Sequence, residues 1–165
     1  MPIPELLREA VERAIMTYDP IRTGETKIDI DIQGSDIVLS GYVRTDVMRS
    51  VAAQLAKGAG GGRAVRNNLL SDTELEIAVG QTIELALGTY ILPVMPVVRA
   101  MRGHIFLRGP VPSEGAKAIM EEVAQQVPGI VMIHNLLDVD TSAIERMIAP
   151  KKATRASKAG AAGGG

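Results

Sequence analysis

The sequence predicts an α+β protein: two tandem αββαβ units, each a small three-stranded mixed sheet with two helices on one face. Three observations lead there. Residues 3–72 reappear as residues 71–140 at a constant offset of 68, without a gap, so that Leu39 falls on Leu107, Gly41 on Gly109, Val43 on Val111, Asn67 on Asn135 and Leu69 on Leu137. Within each copy, stretches with apolar residues every three or four positions flank stretches in which apolar and polar residues alternate, the periods of a helix and of a half-buried strand. The matched positions are mostly apolar, so the duplication copies a core and its connectors rather than a set of reactive side chains.

Each element follows in chain order. Leu6, Leu7, Ala10, Val11, Ala14 and Ile15 form one helical stripe, opened by Pro4 and Glu5, whose missing N–H and negative charge suit a helix start. The segment DPIRTGE ends it. In KIDIDI, Ile28, Ile30 and Ile32 share one face and Lys27, Asp29 and Asp31 the other; Gly34 and Ser35 then turn the chain into a second strand, Asp36 to Val43. Thr45 is placed to cap a helix carrying Val47, Met48, Val51, Ala52 and Leu55, which the glycines at 58, 60, 61 and 62 terminate before a third strand, about Arg63 to Leu70.

The second copy follows with no linker, because Ser71 and Glu74 have capping-box spacing at its first helix. Leu75, Val79, Ile83 and Leu87 form that helix's stripe. Val97 to Met101 and His104 to Val111 make a hairpin around Gly103; Ser113 caps a helix bearing Ile119, Met120, Val123 and Val127; Pro128 and Gly129 stop it before a strand from Ile130 to Val139. A short helix is expected within residues 141–149, from about Ser142 to Ile148, and residues 150–165, rich in Lys, Gly and Ala, are expected to be a disordered basic tail.

Composition narrows the function. With 18 basic and 19 acidic residues the net charge is −1, which lacks the excess expected of a nucleic-acid binder, and the absence of cysteine removes disulfides, thiolate metal sites and a thiol nucleophile. The charged N-terminal stretch reads as a structural helix rather than an export signal, and no apolar run reaches the ~18 residues that span a bilayer. A soluble cytoplasmic protein, peripheral to the membrane at most, is therefore expected.

The segments DIVLSGYV and AVRNNL, with their copies HIFLRGPV and VMIHNLL, resemble the signature of the BON domain family of bacterial envelope and osmotic-stress modules. The resemblance spans residues 3 to 140 and rests on Leu39-x-Gly41-x-Val43 and Val65-x-Asn67-x-Leu69, repeated as Leu107-x-Gly109-x-Val111 and Ile133-x-Asn135-x-Leu137. It implies compact αββαβ units, often in tandem, that bind phospholipid surfaces, with a tandem relative that binds K⁺, and it implies no catalysis and no cofactor. Two departures stand out: family members usually carry an export signal, and here a longer glycine run replaces the usual helix-to-strand step.

Several residues have the chemistry of a site but a simpler structural reading. The glycine run follows a helix instead of preceding one, so its geometry is a C-cap, not a phosphate cradle. Asp29 and Asp31 read as the solvated half of a strand, and their equivalents Val97 and Arg99 are not acidic. Asn67 and Asn135 read, with Gly41 and Gly109, as structural signature positions. His104 at a hairpin turn and His134 on the third strand occupy different places in the repeat and do not suggest a metal site, and no catalytic constellation can be placed.

The sheet faces offer the clearest functional signal. Opposite the helix-covered face, the first copy displays Lys27, Asp29, Asp31, Ser40 and Arg66, whereas the second displays Val97, Met101, Phe106, Met132 and Leu136. An exposed apolar patch of this kind marks either an internal contact or a docking face for lipid or protein. The tail residues Lys151, Lys152, Arg155 and Lys158 would add attraction to anionic phospholipid. The expectation is a non-enzymatic module docking on a phospholipid surface or a partner protein. Its rivals are a sensor binding K⁺ or a metabolite between the repeats, and a homo-oligomeric scaffold.

Overall fold

The computed structural model describes residues 3–87 and 94–142. In the first repeat, α1 (Ile3–Ile15) and α2 (Asp19–Thr23) precede the strands β1 (Lys27–Gln33) and β2 (Asp36–Val43), helix α3 (Asp46–Ala59) and strand β3 (Val65–Ser71). The second comprises α4 (Asp72–Leu87), β4 (Val97–Met101), β5 (His104–Val111), α5 (Glu114–Ala124) and β6 (Met132–Val139). Each unit is thus αββαβ, as the duplication predicts, with one addition. Where DPIRTGE was expected only to end the first helix, Pro20 near the start of α2 pre-sets a helical turn that buries Ile21 in the first core. The short helix expected from Ser142 to Ile148 and the basic tail lie outside the described residues, apart from Ser142 itself.

In both sheets the middle strand is the second of the repeat, antiparallel to the first and parallel to the third. Residues of odd number on β2 and β5 face the helices: Ile37, Leu39 and Val43 in the first repeat, Ile105, Leu107 and Val111 in the second, all fully buried. They pack against Val11, Ile15, Ala52 and Ala56 in one core and against Val79, Ile83, Met120 and Ala124 in the other. Burying a side chain of this size contributes about 1.5–3 kcal/mol, so each helix is held mainly by this apolar stripe and only secondarily by its caps.

The caps explain the helix boundaries. Thr45 Oγ1 accepts from the Met48 N–H and Ser113 Oγ from the Ala116 N–H, the expected first-turn bonds. Ser71 Oγ accepts from the Glu74 N–H, but the Glu74 carboxylate pairs with Arg49, so the capping box is half formed. The glycine run closes α3 through the Gly60 N–H to the Ala56 carbonyl, and Gly61 and Gly62 then take positive φ to redirect the chain. The third strands begin a little later than the apolar pattern suggests, at Val65 and Met132, because pairing with the middle strand starts at Ile37 and His104.

Candidate functional site

Period-two geometry builds the open face of the second sheet in three lateral rows. Met101, His104 and Met132 form the first, Arg99, Phe106 and His134 the second, and Val97, Arg108 and Leu136 the third. All five apolar residues expected on this face are there, and Val97 (50%), Met101 (43%), Met132 (53%) and Leu136 (47%) keep about half of their surface exposed, so the described residues do not bury it. The face is not purely apolar, because the same alternation that brings Val97 and Met101 outward brings Arg99 between them. Arg99 lies 3.6 Å from a Glu76 carboxylate oxygen, and Arg108 has no carboxylate within ion-pair distance among the described residues.

Two grooves flank this face. One, of about 560 Å³, is lined by Val97, Arg99, Met101, Phe106 and Arg108 together with Arg44 and Glu25 of the first repeat. The other, of about 370 Å³, lies between Tyr42 and Lys27 on one side and Met101, His104 and Phe106 on the other. Both grooves combine an apolar floor with a rim in which arginine and lysine outnumber the one carboxylate, Glu25.

The joint between the repeats supports the face from behind. Asp72, fully buried where β3 passes into α4, accepts a 3.0 Å bond from the Arg102 N–H at the β4–β5 turn, while its other carboxylate oxygen lies 3.6 Å from the Arg44 guanidinium without a hydrogen bond. Burial pushes this carboxyl above its ordinary value, and the Arg44 charge and the Arg102 N–H offset part of that effect. Arg44 also donates to the Ala100 carbonyl at 2.8 Å, and the Glu76 carboxylate accepts from the Ala100 N–H at 2.9 Å, so β4 is pinned from two elements. Tyr42 leaves the open face of the first sheet and packs against the second core, its hydroxyl donating to the Gly129 carbonyl.

The signature residues act as connectors. Asn67 donates to the Arg49 carbonyl and accepts from the Leu69 N–H; Asn135 donates to the Lys117 carbonyl and accepts from the Leu137 N–H, the same two bonds at the same offset, each tying a third strand to the helix before it. Gly41 and Gly109 both adopt positive φ, at 113° and 129°. The basic-tail residues Lys151, Lys152, Arg155 and Lys158 lie outside the described residues.

By position in the repeat His104 and His134 are unrelated. The structure brings them together: His104 Nδ1 lies 3.1 Å from His134 Nε2, and the His134 ring stacks on Phe106 at a centroid distance of 4.5 Å. They are diagonal neighbours on adjacent strands, a relation set by the parallel register of β5 and β6 rather than by position within the repeat. Arg99 and Arg108 were legible from alternation alone, whereas Tyr42 and Arg44 have Pro110 and Pro112 at their repeat-equivalent positions and so carry no repeat signal; Asp72 recurs as Asp140, but the repeat says nothing of its burial. Among the described residues no three His, Cys, Asp or Glu side chains converge on a metal position, and no helix is long and apolar enough to cross a membrane.

Comparison with solved structures places the fold beside the C-terminal domain of CdsD, described as a structural protein of the type III secretion system of Chlamydia trachomatis. The TM-score is 0.61 at 14% identity, covering 82% of this chain and 65% of that one. A second CdsD structure matches with a TM-score of 0.59 at 14% identity, covering 87% of this chain and 68% of that one. This chain therefore spans about two thirds of the solved chains it resembles, and the likeness is one of fold. No curated protein matches the sequence. The BON domain model matches twice in series, at residues 5–85 and 96–141, and the chain belongs to the BON domain family.

Proposed function

We propose that this tandem BON protein is a non-enzymatic docking module whose second repeat engages anionic phospholipid surfaces. One observation carries the reading: half-exposed Val97, Met101, Met132 and Leu136, with the partly buried Phe106 among them, share a sheet face with Arg99 and Arg108. Apolar side chains gain by leaving water at the acyl boundary, and each arginine near an anionic surface adds about 1 kcal/mol. The first sheet offers Asp29, Asp31 and Asp36 on its open side, which anionic headgroups would repel. The halves thus share a fold and divide the work. Lys151, Lys152, Arg155 and Lys158 add four positive charges to the same chain.

Co-sedimentation with vesicles of phosphatidylglycerol and phosphatidylcholine tests it. Binding is expected to the mixed vesicles and not to phosphatidylcholine alone, to weaken with salt, and to fall in Phe106→Ser and Arg108→Gln. No pelleting with anionic vesicles at low salt overturns the lipid reading and leaves a protein partner as the occupant of the face.

A further inference from the structure

We propose that the open face of the second sheet also carries a soft-metal site: a cuprous-class ion held by His104 Nδ1 and His134 Nε2, with the thioethers of Met132 and Met101 as further donors. The two ring nitrogens face each other at 3.1 Å. Imidazole–metal bonds of about 2.0–2.1 Å, opened by 90° to 109° at the metal, separate two nitrogens by roughly 2.8–3.4 Å. An ion at that distance sits about 1.2–1.5 Å off the line joining the nitrogens, so it replaces the shared hydrogen once each ring turns by roughly 35–45° to aim its lone pair at it. Phe106, stacked on His134 with an interplanar angle of 9°, fixes the plane of one of them.

Register supplies the sulfur. Met101 and Met132 are the two lateral partners of His104, one on each neighbouring strand, and Met132 precedes His134 by two residues on the same face. Neighbouring strands lie about 4.8 Å apart, and methionine has three rotatable bonds with which to bring its thioether over an adjacent row. Both methionines are half exposed, so neither is committed to a core.

The donor set selects the class of ion. Thioether and imidazole are neutral, and thioethers favour Cu(I), whereas hard dications require carboxylates, which the rows of His104 and His134 lack. The charged residues in the neighbouring rows are Arg99 and Arg108, which oppose a doubly charged ion more than a singly charged one bound by soft donors.

Binding also balances in protons. In the neutral pair one facing nitrogen carries a hydrogen that the other accepts. On metallation the donor ring moves that hydrogen to its outer nitrogen, so both facing nitrogens offer lone pairs and no proton is released. The face gains a single positive charge.

The test uses the full chain without lipid, so that its outcome is independent of the docking reading. Anaerobic titration with Cu(I) against a chromogenic chelator, and with Ag⁺ as a redox-inert probe, is expected to show one equivalent bound. With ¹³C-methyl methionine, the Met101 and Met132 signals should shift among the eight. His134→Asn should lower affinity at least ~10-fold, since even outer-shell partners of a metal contribute ~10–100-fold. The methionine shifts in the unaltered protein keep the test decisive should that variant misfold. Absence of one-equivalent binding overturns the proposal. So does affinity unchanged in a folded His134→Asn, or a Met101→Leu/Met132→Leu protein that binds Cu(I) as before.

Discussion

The Tyr42 hydroxyl donates to the backbone carbonyl of Gly129 at 2.6 Å, joining residues 87 positions apart, and the ring between them lies against the second repeat's core. A residue of the polar sheet thereby becomes part of the apolar one. The position of the ring also explains a glycine, since a Cβ at Gly103 would lie 2.7 Å from it, while at Gly129 a Cβ would instead overlap the Leu70 side chain. The repeats are consequently held by side chains outside the duplicated core, and the open face of the second sheet sits beside a braced joint.

Tyr42→Phe should keep the ring's packing and lose only the bond to Gly129, at a cost of about 0.5–1.5 kcal/mol. Gly103→Ala should cost more, because it adds a Cβ against a rigid ring at a φ of 82°. Urea unfolding of both variants checks the order. Equal effects would mean that the ring does not pack against the turn.

The equivalent signature glycines should respond unequally. Both have positive φ, which strains any other residue by about 1–3 kcal/mol. A Cβ at Gly41 would in addition overlap the Lys27 carbonyl oxygen, whereas at Gly109 the nearest atom, Pro96 Cα, is 3.6 Å away. Gly41→Ala is therefore expected to lower the midpoint of thermal unfolding more than Gly109→Ala.

Asp72 predicts a pH dependence of definite sign. Burial raises its folded value above the ordinary 3.8, so between those two values the folded state keeps a proton that the unfolded chain has lost. Its contribution to stability is fully present below about 3.8, its unfolded value, and declines as pH rises through the folded one. Asp72→Asn, whose amide oxygen can still accept from Arg102, should flatten that decline in the variant's unfolding curves measured from acid to neutral pH. Parallel profiles for the two proteins would refute the assignment.

Removing the counter-charge should do the opposite. Arg44→Leu leaves the buried Asp72 carboxylate without its nearest cation and β4 without the bond to the Ala100 carbonyl. Since Arg44 is 45% exposed, solvent screening reduces the loss from the range for fully buried pairs to about 1–3 kcal/mol. The double variant Arg44→Leu/Asp72→Asn should recover part of it, and strict additivity in chemical denaturation would show that the two residues are not coupled.

Much of this was legible in the sequence because it depends on period. Alternation assigns Ile37 and Leu39 to one face and Met101 and Phe106 to the other without any coordinates, and the offset of 68 carries the assignment from one repeat to the next. The helix caps at Thr45 and Ser113 are local chemistry within four residues and were equally legible. Arg99 and Arg108 obey the same period and belong on that face as plainly as its apolar members. The extra helix α2 was not legible, since five residues give too short a window for a helical stripe.

The sequence by itself therefore determined the family, the two αββαβ units and the membership of each sheet face, all consequences of short-range periodicity and duplication. Only the tertiary structure decided which strands are neighbours and how the repeats join. Parallel pairing of β5 with β6 sets His134 beside His104, and the close approach of the β4–β5 turn buries Asp72 and draws Tyr42 into the second core. These relations link residues 30 to 87 positions apart at no fixed period. Their physical origin is the register and mutual packing of whole elements, which no local pattern of side chains records.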